Sequence, residues 1–236
     1  MTKKLALVFG GSRGIGAACV DALVDDGFSV AYTYVSNAPE KTAANVKAYR
    51  VDICNAQEVE KVFAEVTADF GQAPSCIVAN AGINVPPAPV GQFDPANFRK
   101  LVEVNIVGAF NILSEAAKRV VDGGTIIAIT TSMVRFAVPG GGPYTASKAA
   151  VEGLIRSMAK ELAGRGVRVN AVAPGPVDTD LFRAGKTDEM IAKSAAISPF
   201  NRVGEPREVA EAVCFLASDK ASWVHGQVLQ PNGGMV

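Results

Sequence analysis

The 236-residue chain has little of what metal centres, disulfide frameworks and nucleic-acid sites require. Histidine occurs once, as His225 beside a tryptophan, where a structural role is the usual one. The four cysteines are far apart, form no C-x-x-C pair and stand in apolar stretches, as buried thiols in a reducing compartment do. Basic and acidic residues both number 23, so no net charge attracts nucleic acid. We expect no metal, no disulfide and no nucleic-acid partner.

Long apolar runs are also missing. The opening MTKKLALVF resembles the basic start of a signal peptide, but its apolar run stops at Gly10 and no small-residue cleavage site follows. No run approaches the ~18 apolar residues of a membrane helix. We therefore expect a cytoplasmic protein with no membrane partner.

The residues that are present indicate a folded α/β protein. Apolar residues make up 49% and charged residues 19% of the chain, which is ample for a core. Short runs rich in β-branched residues alternate with longer amphipathic stretches, as in repeated βαβ units. Because no linker or repeat divides the chain, we expect one domain over residues 1–236, with a doubly wound parallel sheet.

Both kinds of element can be placed along the chain. Strands are expected at Leu5–Phe9, Ser29–Tyr34, Ala48–Val51, Cys76–Ala79, Thr125–Thr130, Arg168–Val172 and Gln227–Gln230. Helices are expected near residues 14–26, 39–47, 56–70, 95–120, 143–163 and 206–217. The irregular stretch after the sixth strand holds a possible short helix, and we expect residues 181–200 to form a substrate lid.

A glycine-rich loop follows the first strand. Its pattern is G-x-x-x-G-x-G at Gly10, Gly14 and Gly16, which departs from the strict G-x-G-x-x-G dinucleotide motif. Its position between the first strand and the first helix is the stronger signal. Glycines permit close backbone approach, and the N–H groups at a helix N-terminus bind pyrophosphate. We expect a phosphate-binding loop and not a plain turn.

The residues after the second strand favour one form of dinucleotide. An NAD site usually has an acidic residue there for the ribose 2′-hydroxyl, whereas this strand ends Tyr34-Val35-Ser36-Asn37 with no acid before Glu40. Arg13 in the loop, with Ser36 and Asn37 as donors, suits a 2′-phosphate. The sequence thus favours NADP over NAD; the alternative is that Arg13 is only a solvated loop charge.

A second group of residues suggests proton transfer. Tyr144 and Lys148 are four apart on one predicted helix, so they share a face, and Ser132 stands twelve residues before Tyr144. A neighbouring ammonium lowers the pKa of a phenol toward neutrality. A Y-x-x-x-K pattern is common by itself, and its weight here comes from the glycine loop and Ser132.

Eight motifs in order make the chain resemble the short-chain dehydrogenase/reductase family over essentially its whole length. They are GGSRGIG at 10–16, Asp52, NAG at 80–82, Asn105 in VEVNIVG, Ser132, YTASK at 144–148, PGPVDT at 174–179 and PNGG at 231–234. The resemblance implies a Rossmann fold with a seven-stranded parallel sheet in the order 3-2-1-4-5-6-7. It also implies a homotetramer that packs its fourth and fifth helices between subunits.

The same resemblance implies roles for four catalytic residues. Tyr144 would be the general acid and base, and Lys148 would lower its pKa and bind the nicotinamide ribose. Ser132 would hold the substrate oxygen, and Asn105 would anchor a water that links Lys148 to solvent. For Asn105 the alternative is a polar residue merely tolerated within a helix.

The cofactor site implied by the resemblance draws on residues from many parts of the chain. Asp52 would contact the adenine, although it also suits a helix N-cap, and residues 80–82 would line the adenosine ribose. Val177 and Thr179 would hold the carboxamide. The full expected set is Gly10, Ser12, Arg13, Gly14, Ile15, Gly16, Ser36, Asn37, Asp52, Ile53, Asn80, Ala81, Gly82, Tyr144, Lys148, Pro174, Gly175, Val177 and Thr179.

Two positions depart from the family pattern. Phe9 stands where the family usually has Thr, and Ala79 where it usually has Asn. Both end strands that should be neighbours, so we expect Phe9 to pack over Ala79 in place of a polar contact. The stretch from Pro39 to Tyr49 is also short, which predicts a stubby second helix.

The expected function is reduction of a ketone to a secondary alcohol with NADPH. A 3-oxoacyl-carrier-protein reductase is an alternative, for which Arg165 and Arg168 would help to dock an acidic carrier. An NAD-dependent alcohol dehydrogenase and a non-enzymatic nucleotide-binding protein are further alternatives; an epimerase or dehydratase would need a larger C-terminal region. The apolar residues Val134, Phe136, Val138 and Pro139 indicate an apolar substrate pocket.

Overall fold

The computed structural model describes residues 4–36 and 45–236. Its strands are β1 (Leu5–Phe9), β2 (Ser29–Tyr34), β3 (Val46–Arg50), β4 (Cys76–Ala79), β5 (Thr125–Ile129), β6 (Arg168–Val172) and β7 (Val228–Leu229). They pair in parallel in the order β3-β2-β1-β4-β5-β6-β7. The doubly wound Rossmann topology expected from the sequence is confirmed.

Helices connect these strands and cover both faces of the sheet. They are α1 (Gly14–Asp25), α2 (Ala56–Phe70), α3 (Pro95–Leu101), α4 (Ala109–Arg119), α5 (Met133–Phe136), α6 (Gly142–Glu161), α7 (Asp180–Arg183), α8 (Asp188–Ala195) and α9 (Pro206–Ala217). One core lies under α2, α4 and α6, and the other under α1 and α9. None of the helices in the described ranges combines the length and the apolar content that a bilayer crossing needs.

Strand β1 shows why the central strands are apolar throughout. Leu5, Leu7 and Phe9 face one core, while the alternate residues Ala6 and Val8 face the other. A strand that is covered on both faces has no side chain in water, so its sequence shows no polar alternation. The apolar runs in the sequence are therefore the central strands of this sheet.

Phe9 lies directly beside Ala79. The two residues are register partners between β1 and β4, and both side chains belong to the core under α2. The ring of Phe9 is fully buried and its centroid lies 5.7 Å from that of Phe63. The Phe9 and Ala79 positions thus form part of an apolar contact below the glycine loop.

The region around β3 differs from the sequence expectation. The strand begins at Val46, two residues before the predicted start, and Val46 and Lys47 pair with Val30 and Ala31. The helix predicted near 39–47 is therefore wrong at its C-terminal end, and its residues 39–44 lie outside the described residues. The physical reason is that ladder hydrogen bonds to β2 outweigh the helical preference of a short polar stretch.

The long helix expected over 95–120 is interrupted. Helix α3 leads into a π-helical segment at Val102–Gly108, and α4 continues from Ala109. The extra residue per turn in a π-helix shifts the direction of the side chains that follow it. Asn105 lies in the middle of this segment and is buried.

The lid expected at residues 181–200 contains helical structure. It holds the end of α7 and all of α8. Thr179 and Thr187 cap these two helices with their side chains, which accept hydrogen bonds from the N–H groups of Phe182 and Met190. Two short helices therefore occupy a stretch where the sequence indicated one.

Candidate active site

The residues predicted for the site follow six different strands, and the sheet brings them to one edge. In a parallel sheet all carboxyl ends lie on the same side, which is where α/β proteins bind ligands. The glycine loop follows β1, Ser36 follows β2, Asp52 follows β3, Asn80–Gly82 follow β4, Ser132 follows β5, and residues 174–179 follow β6. Asn37 lies outside the described residues.

The glycine loop packs too closely for side chains. Gly10 has φ +74°, in the left-handed region that favours glycine. A Cβ on Gly16 would lie 1.9 Å from the carbonyl oxygen of Gly10, so only glycine fits there. The loop therefore presents its backbone to the space above α1.

Three hydrogen bonds hold this loop in place. The N–H of Gly10 donates to Thr33 Oγ1 and that of Gly11 to the Thr33 carbonyl, both at 3.0 Å. Asn80 Nδ2 donates to the Gly10 carbonyl at 2.8 Å. Thr33 is buried, and its role was not predicted because nothing in a strand sequence marks a threonine that caps a distant loop. These three bonds fix the position of the loop at the end of the sheet.

The N-terminus of α1 is suited to an anion. Arg13 is the N-cap residue and its side chain makes no capping hydrogen bond, and the first turn contains no acidic residue. Ser12 and Arg13 are exposed beside it, and Ile15 is half-buried. Unpaired N–H groups and the helix dipole attract negative charge at such a terminus. The predicted phosphate-binding loop has the geometry that a pyrophosphate requires.

The residues after β3 are those expected to contact the adenosine. Asp52 Oδ1 accepts from the N–H of Cys54 at 2.9 Å, and Asn55 caps α2 by accepting from the N–H groups of Gln57 and Glu58. The alternative that Asp52 is the N-cap of α2 is therefore wrong, since Asn55 is three residues closer to the helix and fills that position.

The backbone of Ile53 is held by the neighbouring helix. Asn111 Nδ2 donates to the Ile53 carbonyl at 2.9 Å. A Cβ on Gly108 would lie 2.7 Å from Ile53 Cγ1, so a glycine in the π-helical segment lets the two elements approach. These contacts fix the backbone of Ile53 against the π-helical segment and α4.

The segment after β6 returns to the glycine loop. A Cβ on Gly14 would lie 3.3 Å from Thr179 Cγ2, so Thr179 stands directly at the N-terminus of α1. Val177 is buried and Gly175 donates its N–H to the Pro231 carbonyl at 3.2 Å. Pro174 accepts from the N–H of Ser132 at 2.9 Å. The predicted PGPVDT residues therefore connect the glycine loop to Ser132.

Helix α6 carries Tyr144 and Lys148 on one face. Lys148 is buried and its Nζ donates to the Ile129 carbonyl at 3.1 Å. Burial lowers the pKa of Lys148 to about 8. Burial raises the pKa of Tyr144 to about 12, which is opposite to the lowering expected from Lys148. In this structure the loss of solvation on burial determines the direction of the pKa shift of the Tyr144 phenol.

The side chain of Asn105 lies close to that of Lys148. Its amide accepts from the N–H of Ile83 and donates to the Ile83 carbonyl, both at 2.9 Å, and it donates to Ser147 Oγ at 3.1 Å. A Cβ on Gly82 would lie 3.1 Å from Asn105 Oδ1 and 3.2 Å from Lys148 Nζ. Asn105 is therefore held by specific hydrogen bonds beside Ser147 and Lys148.

Ser132 is fully buried beside the same helix. Its hydroxyl donates to the Ala173 carbonyl at 2.7 Å and accepts from Asn232 Nδ2 at 3.1 Å. To bind a substrate oxygen, the hydroxyl has to turn its proton away from Ala173. The structure thus places Ser132 at the site with both hydrogen-bonding functions occupied.

Comparison with known proteins now assigns the family. A family model described as enoyl-(acyl carrier protein) reductase matches residues 10–236. A short-chain type dehydrogenase/reductase from Picea abies is 39% identical over 251 residues, covering 99% of this chain and 92% of the relative. The chain belongs to the short-chain dehydrogenase/reductase family. The resemblance stated from the sequence motifs is confirmed.

Other relatives span nearly the whole chain. An NADPH-dependent aldehyde reductase-like protein, chloroplastic, from Arabidopsis thaliana is 38% identical and covers 99% of this chain and 94% of its own length. A 3-oxoacyl-[acyl-carrier-protein] reductase from Staphylococcus aureus is 35% identical, and the match covers 100% of this chain and 98% of the relative. Among solved structures, a blue fluorescent protein from a metagenomic library in complex with NADPH superposes with a TM-score of 0.89 at 32% identity, covering 99% of this chain and 98% of its own.

A buried carboxylate that the sequence did not reveal lies on the same helix as Lys148. Glu152 is buried one turn beyond Lys148 on α6, and it accepts from Thr130 Oγ1 and from Arg135 Nη1, both at 3.1 Å. These bonds join α6 to the segment that carries Ser132. The signal available in the sequence was the spacing of Tyr144, Lys148 and Glu152, which puts all three on one helix face.

The four cysteines and His225 occupy structural positions. Cys19, Cys76 and Cys214 are buried free thiols and Cys54 is half-buried. His225 accepts from the N–H of Val169 at its Nδ1 and lies 2.6 Å from the Ala159 carbonyl at its Nε2. Among the described residues, no group of His, Cys, Asp or Glu is placed to hold a metal ion.

Proposed function

We propose that this short-chain dehydrogenase/reductase reduces a ketone to a secondary alcohol with NADPH. The observation that carries the proposal is that Asn105 and Lys148 meet beside Gly82, with Tyr144 one turn before Lys148 on α6, at the sheet edge that also bears the glycine loop. A buried lysine is costly, and a buried cluster of this kind is typical of catalytic sites. The substrate we propose is a free small molecule, and residues 1–236 are expected to act as one domain.

NADP(H) fits the residues present. The loop leaves room only for backbone at Gly16, and the first turn of α1 offers N–H groups with no acid nearby. Arg13 and Ser36 would hold the 2′-phosphate, and relatives that are named NADPH-dependent or solved with NADPH support this choice. When bound, the nicotinamide supplies the hydride. Tyr144 and Lys148 would flank its ribose.

The chain's own residues would manage the proton. With pKa values of about 12 for Tyr144 and about 8 for Lys148, both groups carry their protons at pH 7, which is the state that a reduction requires. The Tyr144 phenol would donate its proton to the substrate oxygen, and the Lys148 ammonium would stabilise the phenolate that forms. Asn105 would hold a water that returns a proton to Lys148. Ser132 would hold the substrate oxygen once it releases Ala173.

The substrate region is expected to be apolar and covered by a lid. Val134, Phe136, Val138 and Pro139 would line it, and α7 and α8 would cover it. Arg135 anchors this wall through its ion pair with Glu152 at 3.1 Å. These features suit a hydrophobic ketone.

The acyl-carrier alternative gains no support from its docking arginines. Arg165 binds Asp122 at 2.7 Å and two main-chain carbonyls, and Arg168 donates to the Leu216 carbonyl at 2.6 Å. Both guanidinium groups are thus occupied in holding the fold, so neither is free to dock an acidic carrier protein. A homotetramer and a cytoplasmic location remain expectations, and one relative is named chloroplastic.

The test follows cofactor oxidation over a panel of ketones that includes a β-ketoacyl thioester. We expect turnover with NADPH, and Tyr144→Phe should reduce kcat by roughly 10²- to 10⁴-fold because the proton donor is lost. NADPH binding should be kept. Tyr49→Phe is the matched control, since its hydroxyl binds Asp69 at the far edge of the sheet. Full activity of Tyr144→Phe, or a preference for NADH, would refute the proposal.

A further inference from the structure

A cavity of about 470 Å³ opens beside the adenosine end of the site. Its wall includes Val35 after β2, Arg50 at the end of β3, Asp52, and Lys61 on α2. The cavity therefore spans the gap between the strand ends where the ribose 2′-position of a dinucleotide is recognised in this fold.

Arg50 is held so that it faces this gap. It is the last residue of β3 and the register partner of Tyr34. Its Nε donates to the carbonyl of Val35 at 3.1 Å, so the side chain crosses the end of β2. Since Nε is the atom used, the two Nη groups of this exposed guanidinium remain available as donors.

The other charged groups of the cavity are already occupied. Lys61 pairs with Glu65 at 3.3 Å. Glu58 accepts from the N–H of Asp52 at 2.8 Å and from Asn55 Nδ2 at 3.1 Å. Among the ion pairs of residues 4–36 and 45–236, none involves Arg50. Arg50 is thus a fixed cation that has no acidic partner within the described part of the chain.

The same strand end is tied to the phosphate-binding loop. The Thr33 hydroxyl accepts a hydrogen bond from the N–H of Gly10, and the Thr33 carbonyl accepts one from the N–H of Gly11. Ser36 lies two residues beyond the end of β2. We infer that Arg50 binds the adenosine 2′-phosphate and is a specificity-determining residue for NADP(H). This inference rests on the proposed function and adds to Arg13 and Ser36 a residue on β3, outside the positions that the motif marks.

The test measures the binding of NADPH and NADH to the purified full chain by calorimetry. In Arg50→Met we expect the Kd for NADPH to rise about 10- to 100-fold, the range for a hydrogen bond to a charged group, with the Kd for NADH within twofold. Arg50→Lys keeps the positive charge but lacks the planar guanidinium that can donate two hydrogen bonds to one phosphate, so it should give an intermediate NADPH affinity. Lys61→Met is the matched control on the same wall and should change neither Kd.

Four results would overturn the inference. An unchanged NADPH affinity in Arg50→Met would show that the guanidinium does not touch the phosphate. Equal weakening of NADPH and NADH would assign Arg50 to stacking on the adenine or to holding β2. Wild-type protein that binds neither cofactor would refute the proposed function itself, and a wild-type preference for NADPH that survives in Arg50→Met would refute only the role of Arg50.

Discussion

Replacing Lys148 by methionine should stabilise the cofactor-free protein while removing its activity. The ammonium is buried, and its pKa of about 8 against the ordinary 10.5 corresponds to about 3 kcal/mol of lost stability at pH 7. Methionine keeps the unbranched stem and removes the charge. The hydrogen bond from Nζ to the Ile129 carbonyl, 3.1 Å long, is lost as well.

The two effects have opposite signs. Loss of that hydrogen bond costs about 1 to 2 kcal/mol, because the carbonyl is left without its partner. The net gain expected for Lys148→Met is therefore about 1 to 2 kcal/mol at pH 7. For a chain of this size the melting temperature should rise by roughly 2 to 8 °C.

The gain should depend on pH in a defined direction. The wild-type penalty is complete below pH 8, where Lys148 is charged in both folded and unfolded chains. It shrinks as the pH rises toward 10.5, where the unfolded chain also loses the proton. Urea unfolding of both proteins at pH 7 and pH 10, without cofactor, measures the difference. A variant that is less stable at pH 7, or a gap that does not change with pH, would refute the reasoning.

Two further predictions concern the loop and the core beneath it. Gly16→Ala should raise the Kd for NADPH at least about tenfold, since its Cβ would lie 1.9 Å from the Gly10 carbonyl oxygen. Gly153→Ala is the control, because a Cβ there meets no atom within 4 Å, and equal NADPH affinities of the two variants would contradict the prediction. Phe9→Ala should lower the free energy of unfolding by about 3 to 5 kcal/mol, because the Phe9 ring is fully buried against Phe63. Phe110 is half-exposed, so Phe110→Ala should change the free energy of unfolding little, and similar losses for both variants in urea unfolding would contradict this account of the core.

The candidate pair Tyr144 and Lys148 could be identified from the sequence because its spacing depends on local geometry. Tyr144 and Lys148 share a face of any helix that contains them, and a loop between a first strand and a first helix lies at the carboxyl edge of any parallel sheet. The same logic explains the error at β3, where a short polar stretch has no strong pattern and pairing with β2 decides its conformation.

Contacts between residues distant in sequence could not be placed in this way. Thr33 supports the glycine loop across 23 positions, and Glu152 reaches Thr130 across 22. The pKa of Tyr144 was expected to fall and instead rises, because burial depends on all the elements around the phenol and not on one neighbour. Such effects are properties of the packed molecule.

The sequence by itself determined the alternation of strands and helices, the order of the motifs and the edge of the sheet at which they meet, because these depend on periodicity and chain direction. Tertiary structure alone decided the π-helical segment at Asn105, the hydrogen bonds that occupy Ser132, and the orientation of Arg50 toward the end of β2. These features arise where side chains from separate elements satisfy one another's polar groups, and that pairing is defined only when the chain is folded.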